Sequence, residues 1–202
     1  MPGHLVVGLG NPGPRYQSTR HNAGFLLVDR LAARFGIVFD RQGTPEASDA
    51  PIVWGAGRIA EAPAVLAKPT TFMNASGEGI VSLQRALAPE AIVVTFDDLD
   101  LPLGAVRVRG GGGTGGHRGV ASVVEAIGPE FSRVRIGIGR PPEGSETVDF
   151  VLGDFASEER PVLERALARA EEGVACLLRD GLEAAMRLCN GAPPLAIDDP
   201  IG

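Results

Sequence analysis

Lysine, cysteine and long apolar runs are scarce in this chain of 202 residues. Lys68 is the only lysine, which we attribute to genome composition rather than to function. The two cysteines, Cys176 and Cys189, are too few for a disulfide framework and lack the spacing of a zinc site, so we expect reduced, structural thiols. No apolar run approaches the roughly 20 residues of a membrane span, and the N-terminus lacks the pattern of a signal peptide. We therefore expect a cytoplasmic protein without a membrane segment.

Basic side chains are concentrated in one part of the chain. The net charge is −6, but residues 101–142 contain six arginines and only two acids, which gives this segment a charge of +4. An acidic molecule with one basic segment is typical of a protein with a localised anionic partner. The alternative is that the arginines scatter over several faces. The overall charge argues against indiscriminate binding to nucleic acid.

Apolar patterning predicts alternating strands and helices. Strands are expected at 5–9, 52–59, 64–67, 91–96, 105–109 and 134–138, and helices at about 23–35, 77–87, 120–127, 157–178 and 182–188. The second and third strands flank the turn at residues 61–63 and form a hairpin. This order predicts a single-domain α/β fold over residues 1–190, with a mixed, mostly parallel twisted sheet and helices on both faces. We expect residues 191–202 to be a disordered tail.

The first loop contains the pattern Gly-x-Gly-x-x-Gly at residues 8–13, directly after a strand, as in dinucleotide-binding proteins. In that motif the last glycine lies inside an opening helix. Here Pro12 and Pro14 flank it, and helical periodicity begins only near Asn22. The acidic residue expected about 20 residues later is also missing. These departures argue against a nicotinamide enzyme, and no other cofactor is indicated.

A second glycine-rich loop covers residues 110–116, between Arg109 and the pair His117-Arg118. Successive backbone N–H groups in such a loop can bind a phosphate at a helix N-terminus. It is not a Walker A sequence, because no Lys-Ser/Thr follows the glycines. The alternative is a flexible loop without a ligand, and the flanking arginines favour contact with an anion.

His21 lies at the junction between the first loop and a helix, so we expect a partly exposed imidazole. A neutral imidazole is the natural general base for activating water, and it needs a partner that fixes its tautomer. Asp97 directly follows a buried strand, and the carboxyl ends of parallel strands meet at one edge of a sheet. Asp97 is therefore the best candidate for the partner of His21, whereas Asp98 and Asp100 are predicted to be solvated or to act as capping residues.

Two asparagines, Asn11 and Asn74, each lie in a loop beside these elements. A side-chain amide both donates and accepts hydrogen bonds, as does the peptide group that it would recognise. Each asparagine alone is equally typical of a turn, but with a histidine and an aspartate they form a hydrolytic constellation. The three histidines are scattered and form no HExxH motif, so we expect no metal site.

Taken together, the motifs resemble bacterial peptidyl-tRNA hydrolases along nearly the whole chain. The matching segments are Val7-Gly8-Leu9-Gly10-Asn11-Pro12-Gly13, Tyr16-x-x-Thr19-Arg20-His21-Asn22-x-Gly24, Pro69-Thr70-Thr71-Phe72-Met73-Asn74-x-Ser76-Gly77, Asp97-Asp98-Leu99-Asp100-Leu101-Pro102-x-Gly104, Gly115-Gly116-His117, Arg135-Ile136-Gly137-Ile138-Gly139 and Val151-Leu152-Gly153.

The resemblance implies hydrolysis of the ester between a peptide and the 3′ end of tRNA, which recycles peptidyl-tRNA released from ribosomes. His21 matches the family's base, Asp97 the aspartate bonded to it, and Asn11 the residue that distinguishes a peptidyl from a free aminoacyl group. The positions that match substrate or tRNA contacts are Tyr16, Phe72, Met73, Asn74, Arg109, His117 and Arg135. The resemblance also implies a monomer.

One position departs from the family. Arg118 stands where the family usually has asparagine, and a guanidinium cannot accept a hydrogen bond. We expect Arg118 to contact phosphate or the tRNA acceptor end instead. This departure favours a rival interpretation, a non-catalytic RNA-binding protein on the same scaffold. The pairing of His21 with Asp97 and the two asparagines argue against the rival, because a binding module needs no base and acid.

Overall fold

A computed structural model describes residues 3–194 and folds them around a seven-stranded sheet. The strands are β1 (His4–Gly8), β2 (Arg41–Gln42), β3 (Ile52–Ile59), β4 (Ala62–Pro69), β5 (Ala91–Asp98), β6 (Val106–Gly110) and β7 (Ser132–Gly137). Their order across the sheet is β2-β3-β4-β1-β5-β7-β6. The central strands β4, β1, β5 and β7 are parallel, whereas β2, β3 and β6 pair antiparallel at the two edges. The predicted single-domain α/β fold is confirmed.

The helices cover both faces of the sheet, also as predicted. They are α1 (Ala23–Phe35), α2 (Ser76–Leu87), α3 (Arg118–Ile127), α4 (Thr147–Leu152), α5 (Arg160–Asp180) and α6 (Leu182–Asn190). Successive strand side chains point to opposite faces. Val6 of β1 therefore packs with α1 and α5, while Leu5 and Val7 pack with α2 and α3. Burial on both faces explains the continuous apolar runs in β1, β4 and β5.

The structure differs from the predicted elements at the hairpin turn, at two short elements and at the ends of several strands and helices. The hairpin turns at Ala60 and Glu61, whose φ angles of 46° and 67° are left-handed, as a two-residue hairpin turn requires. Residues 62 and 63 therefore already belong to β4. Strand β2 and helix α4, of two and six residues, were not predicted because they are too short to show a period. Finally, α5 begins at Arg160 rather than at residue 157.

The chain after α6 has no regular structure in residues 191–194, and the remaining residues of the predicted tail lie outside the described part. Arg169 donates a hydrogen bond to the carbonyl oxygen of Pro193 at 2.8 Å. No helix within residues 3–194 is long and apolar enough to cross a membrane.

The end of β1 and the start of α1 approach so closely that only glycine fits at their contact. A Cβ atom on Gly8 would lie 2.5 Å from the carbonyl oxygen of Gly24, and one on Gly24 would lie 2.2 Å from that of Thr95. This contact brings the 3₁₀ turn Arg20–Asn22, which precedes α1, beside the carboxyl ends of β1 and β5. In the first loop only Gly13, at φ 99°, has a left-handed conformation. Gly8 thus serves close packing rather than a tight turn.

Candidate active site

A cleft of about 490 Å³ opens at the carboxyl ends of the central parallel strands. This is the edge at which open α/β sheets bind their ligands. The lining comes from the first loop, the 3₁₀ turn before α1, the loop before α2, the end of β5, the second glycine-rich loop and α4. The lining residues are Asn11, His21, Phe72, Met73, Asn74, Phe96, Asp97, Asp98, Leu99, Thr114, Gly115, Gly116, His117, Arg118, Thr147, Val148, Val151 and Leu152.

His21 and Asp97 form a hydrogen-bonded pair inside this cleft. Asp97, at the end of β5, is 2% exposed, and its Oδ1 and Oδ2 lie 2.9 and 3.0 Å from Nδ1 of His21. A carboxylate only accepts hydrogen bonds, so Nδ1 carries the hydrogen. In the neutral ring this leaves Nε2 with a free lone pair. The pair is therefore arranged as a base with a fixed tautomer.

His117 uses both of its ring nitrogens within the protein. Its Nδ1 accepts hydrogen bonds from the backbone N–H groups of Gly119 and Val120, at 3.1 and 3.2 Å. Because Nδ1 accepts, Nε2 carries the hydrogen, and it lies 3.0 Å from Oδ1 of Asp97. The imidazole thus caps α3 and donates to the same carboxylate as His21. Both ring nitrogens of His117 are therefore engaged within the protein, and the contact with substrate expected at this position stays a prediction.

The two histidines determine the charge of Asp97. Burial of the carboxylate would raise its pKa, but attraction to His117 and hydrogen bonds from His117 and His21 outweigh that effect. The pKa of Asp97 is held well below its usual range. Asp97 therefore stays ionised at every pH at which an imidazole can act as a base.

The same three side chains are of types that bind metal ions, and their possible ligand atoms lie within 4.8 Å of one another. However, the ring nitrogens that face Asp97 both carry hydrogens, and His117 Nδ1 is occupied by backbone N–H groups. A nitrogen must be deprotonated to bind a metal. The hydrogen bonds satisfy this cluster without an ion, and the expectation of a metal-free site stays a prediction.

Asn11 is held in the cleft by hydrogen bonds on three sides. Its backbone N–H donates to Oδ1 of Asn22 at 2.8 Å, and its carbonyl accepts from Nδ2 of Asn22 at 3.0 Å. Its side-chain Oδ1 accepts from the backbone N–H of Met73, also at 2.8 Å. The acceptor of the Asn11 amide is thus occupied, and the Nδ2 donor is available to the cleft. Asn22 was not among the predicted site residues, although it directly follows His21 in the motif shared with the family.

The other predicted contacts lie around the rim and floor of the cleft. Phe72 is 60% exposed, and its ring meets that of Tyr16 edge to face, with centroids 6.3 Å apart. Asn74 is exposed beside it, whereas Met73 is buried in the floor. Arg118 is exposed at the first position of α3 and lines the cleft. The rim therefore combines aromatic, amide and cationic groups.

The second glycine-rich loop forms one side of the cleft, through Thr114, Gly115 and Gly116. Its predicted phosphate site would use the N–H groups of the loop together with those at the start of α3. Two of these, on Gly119 and Val120, already donate to His117. These two N–H groups are therefore not free for an anion, and a phosphate site on the remaining N–H groups of the loop and on Arg118 stays a prediction.

The six arginines of the basic segment differ in how their charges are used. Arg133 is buried and donates to carbonyl groups, and Arg107 donates to carbonyls near the C-terminal end. Arg135 pairs with Asp98, with Nε 2.5 Å from Oδ2, and Arg140 pairs with Asp100. Arg109 and Arg118 are exposed and form no ion pair with any described residue. Their guanidinium groups remain available to an external anion.

Arg109 and Arg135 do not line the cleft but share one face of the sheet beside it. In the antiparallel pair β6–β7, Arg107 lies opposite Arg135, and Arg109 lies opposite Arg133. Directly opposite residues point to the same face, as do residues two apart along a strand. The bond from Arg135 to Asp98 connects this face to the cleft, because Asp98 is part of the lining.

Known proteins of one family are similar to this chain over nearly its full length. The family model described as peptidyl-tRNA hydrolase matches residues 5–196. A peptidyl-tRNA hydrolase of Symbiobacterium thermophilum is 47% identical over 190 residues, which cover 92% of this chain and 98% of the relative. One of Dehalococcoides mccartyi is 46% identical over 192 residues, with the same coverage. The crystal structure of peptidyl-tRNA hydrolase from Acinetobacter baumannii matches with a TM-score of 0.86 and 37% identity, over 96% of this chain and 99% of that one. This chain belongs to the peptidyl-tRNA hydrolase family.

Proposed function

We infer that this protein hydrolyses the ester between a peptide and the 3′ end of tRNA, with a water molecule activated by Nε2 of His21. One observation carries the mechanism. The imidazole faces the cleft and donates Nδ1–H to the buried carboxylate of Asp97, so that in the neutral ring the lone pair of Nε2 is available to accept a proton. A general base of this kind contributes about 10²- to 10⁴-fold to a rate.

The proposed reaction has two steps. Water attacks the ester carbonyl while its proton passes to Nε2 of His21, which produces a tetrahedral oxyanion. The bond from carbon to the ribose oxygen then breaks, and the imidazolium returns the proton to the leaving 3′-oxygen. The products are a peptide with a free carboxyl group and a tRNA with a free hydroxyl group. The charge of Asp97 stabilises the imidazolium between the two steps.

Asn11 supports selection for a blocked amino group. Because its Oδ1 accepts from Met73, the amide presents its Nδ2 donor to the cleft. A peptide carbonyl oxygen is a suitable acceptor for that donor. The free ammonium group of an aminoacyl-tRNA carries only donors, so it would leave the buried amide unpaired. This polarity favours peptidyl-tRNA over aminoacyl-tRNA.

The rim supports binding of the tRNA end. Bases stack on exposed aromatic rings, and arginines bind phosphates, so Phe72, Arg109, Arg118 and Arg135 are the proposed contacts. Tyr16 supports Phe72 from its edge, and Asn74 offers an amide beside it. The proposal includes a monomer without a metal, acting in the cytoplasm where ribosomes release this substrate.

The test is release of an N-acetylated amino acid from its tRNA ester by the His21→Ala variant. We expect the turnover to fall by about 100-fold or more, while binding of deacylated tRNA stays unchanged. His4→Ala is the matched control, because His4 lies at the opposite end of β1 from the cleft. Near-normal turnover by His21→Ala would exclude the mechanism. Binding without any release by the unaltered protein would instead favour the RNA-binding interpretation.

A further inference from the structure

Arg20, which precedes the proposed base, has a buried guanidinium that lies outside the cleft. The residue is 9% exposed. Its Nη1 donates to the carbonyl oxygen of Asp154 at 2.6 Å, and its Nη2 donates to Oε2 of Glu159 at 2.7 Å. Both acceptors belong to the loop between α4 and α5. A buried charge needs such partners, because an unpaired ion in the interior is strongly unfavourable.

The same guanidinium also packs on two aromatic rings, one in α4 and one in this loop. Its central carbon lies 4.4 Å from the ring centroid of Phe150 in α4 and 5.3 Å from that of Phe155. Cation–π contacts of this kind are strengthened when they are shielded from water. One side chain thus makes two charge-assisted or polar bonds and two ring contacts to a single segment of the chain.

Backbone and carboxylate contacts extend this attachment. The N–H of Arg20 donates to the carbonyl oxygen of Gly153 at 3.0 Å, and Thr19 pairs with Asp154 as an isolated β-bridge. The carboxylate of Glu159 accepts a second bond, from the N–H of Ala156 at 2.7 Å. Glu159 is therefore held in place to receive Arg20. Together these contacts join the turn that carries His21 to residues 153–159.

The contacts of Arg20 with residues 153–159 lie beside α4, which forms part of the cleft wall. Helix α4 is only six residues long, and it supplies Thr147, Val148, Val151 and Leu152 to the cleft. Residues 142–149, which lead into it and form its first turn, are all exposed. An isolated helix of this length is not stable in water. Its position must come from contacts at its C-terminal end, where Arg20 binds.

We propose that Arg20 is a positioning residue that holds the α4 wall of the cleft in fixed relation to the turn carrying His21. The residue itself touches neither substrate nor the reacting atoms. It acts by fixing the distance and orientation between α4 and His21, so that a bound substrate contacts both at the same time. The kinetic part of this proposal rests on the proposed function, whereas its structural part does not.

The structural part is tested by hydrogen exchange of the Arg20→Gln variant, followed by mass spectrometry. We expect the amides of residues 147–155 to exchange about tenfold faster or more, as for a locally opened segment. Amides of β1 and β5 should keep their protection. Arg34→Gln is the matched control, because Arg34 also pairs with carboxylates, at 2.6 Å, but on α1 and α5. Unchanged exchange in residues 147–155, or equally faster exchange throughout, would overturn the proposal.

The kinetic part uses the same variants with N-acetylaminoacyl-tRNA. We expect kcat/KM of Arg20→Gln to fall roughly 10- to 100-fold, as for a displaced binding element, with most of the change in KM. The acid limb of the pH–rate profile should stay in place, because His21 and Asp97 are unaltered. A loss confined to kcat, or a displaced acid limb, would contradict the proposed wall. If the unaltered protein releases no peptide, the proposed function fails while the exchange result still stands.

Two further variants keep the proposal falsifiable if Arg20→Gln does not fold. Glu159→Gln removes one charged acceptor and should raise exchange in residues 147–155 to a smaller extent. Arg20→Lys keeps the charge but cannot bridge two acceptors with a planar group. It should fall between the unaltered protein and Arg20→Gln in both exchange and KM. Full recovery by lysine would show that charge alone suffices and would overturn the assigned geometry.

Discussion

At the scale of single residues, the candidate site is organised by one buried carboxylate. Asp97 accepts hydrogen bonds from His21 and His117, and each histidine is thereby held in one tautomer. The low pKa of Asp97 also contributes to stability. A carboxyl group whose pKa is lowered by folding stabilises the protein when the pH is above the pKa of the same group in the unfolded chain, about 3.9 for aspartate. This contribution is lost progressively as the pH falls below that value.

Asp97→Asn tests the charge rather than the shape of this residue. Without the anion the imidazolium is less favoured, so we expect kcat to fall by about 100-fold or more and the acid limb of the pH–rate profile to move to lower pH. Turnover is measured from pH 5 to pH 9. Asp100→Asn, at an exposed carboxylate paired with Arg140, serves as control. An unshifted acid limb in Asp97→Asn would show that the base is not His21.

At the scale of elements, side chains form hydrogen bonds with backbone groups at a helix start and at a strand edge, which would otherwise have no partner within the element. His117 caps the start of α3. At the edge strand β6, the amide of Asn190 accepts from the N–H of Val108 at 2.8 Å and donates to its carbonyl at 2.9 Å. Asn190 thus occupies the place of a neighbouring strand, which protects an edge that can otherwise pair with another chain. Asn190 lies 82 positions from Val108, whereas His117 directly precedes the helix that it caps.

A pair of substitutions at His117 separates the cap from the link to Asp97. Asparagine is a good N-cap and alanine is a poor one. We therefore expect His117→Asn to be more stable than His117→Ala by about 1 kcal/mol in urea unfolding. Neither side chain offers the ring nitrogen that donates to Asp97, so both variants should lose activity to a similar extent. Equal stability of the two would show that the cap contributes nothing.

At the scale of the whole molecule, some arginines are paired within the protein and others are available to attract tRNA. The chain has a net charge of −6, so binding of an anionic tRNA depends on where free cations lie. Four of the six arginines in the basic segment have partners within the protein. Arg109 and Arg118 are the exposed cations of that segment without an ion pair among the described residues. Long-range attraction to tRNA should therefore come mainly from these two.

The salt dependence of tRNA binding tests this division. Each phosphate contact that is removed reduces the slope of log K against log salt concentration by about 0.7 to 0.9. We expect a reduction of this size for Arg109→Ala and for Arg118→Ala. Arg140→Ala, from the same segment but already paired with Asp100, should leave the slope unchanged. Equal slopes for all three variants would refute the proposed phosphate contacts.

The fold class and the parallel centre of the sheet were predictable from the sequence, because apolar periodicity reports burial directly. His21, Asp97 and Asn11 were indicated by residue types that suit hydrolysis, by the place of Asp97 after a strand and by the motifs shared with the family. Short elements such as α4 could not be predicted, since six residues form less than two helical turns and their stability comes from contacts elsewhere.

How these side chains use their hydrogen-bonding atoms depends on the tertiary structure. A histidine can donate or accept at either nitrogen and an asparagine can present either end, so residue type leaves each choice open. Hydrogen bonds from backbone groups fix the orientation of both side chains. The N–H groups at the start of α3 donate to Nδ1 of His117, so its Nε2–H faces Asp97. The N–H of Met73 donates to Oδ1 of Asn11, so the Nδ2 donor faces the cleft. Arg20 was not among the predicted site residues. Its buried charge is paired with groups more than 130 positions away in the sequence, which only the folded chain brings close.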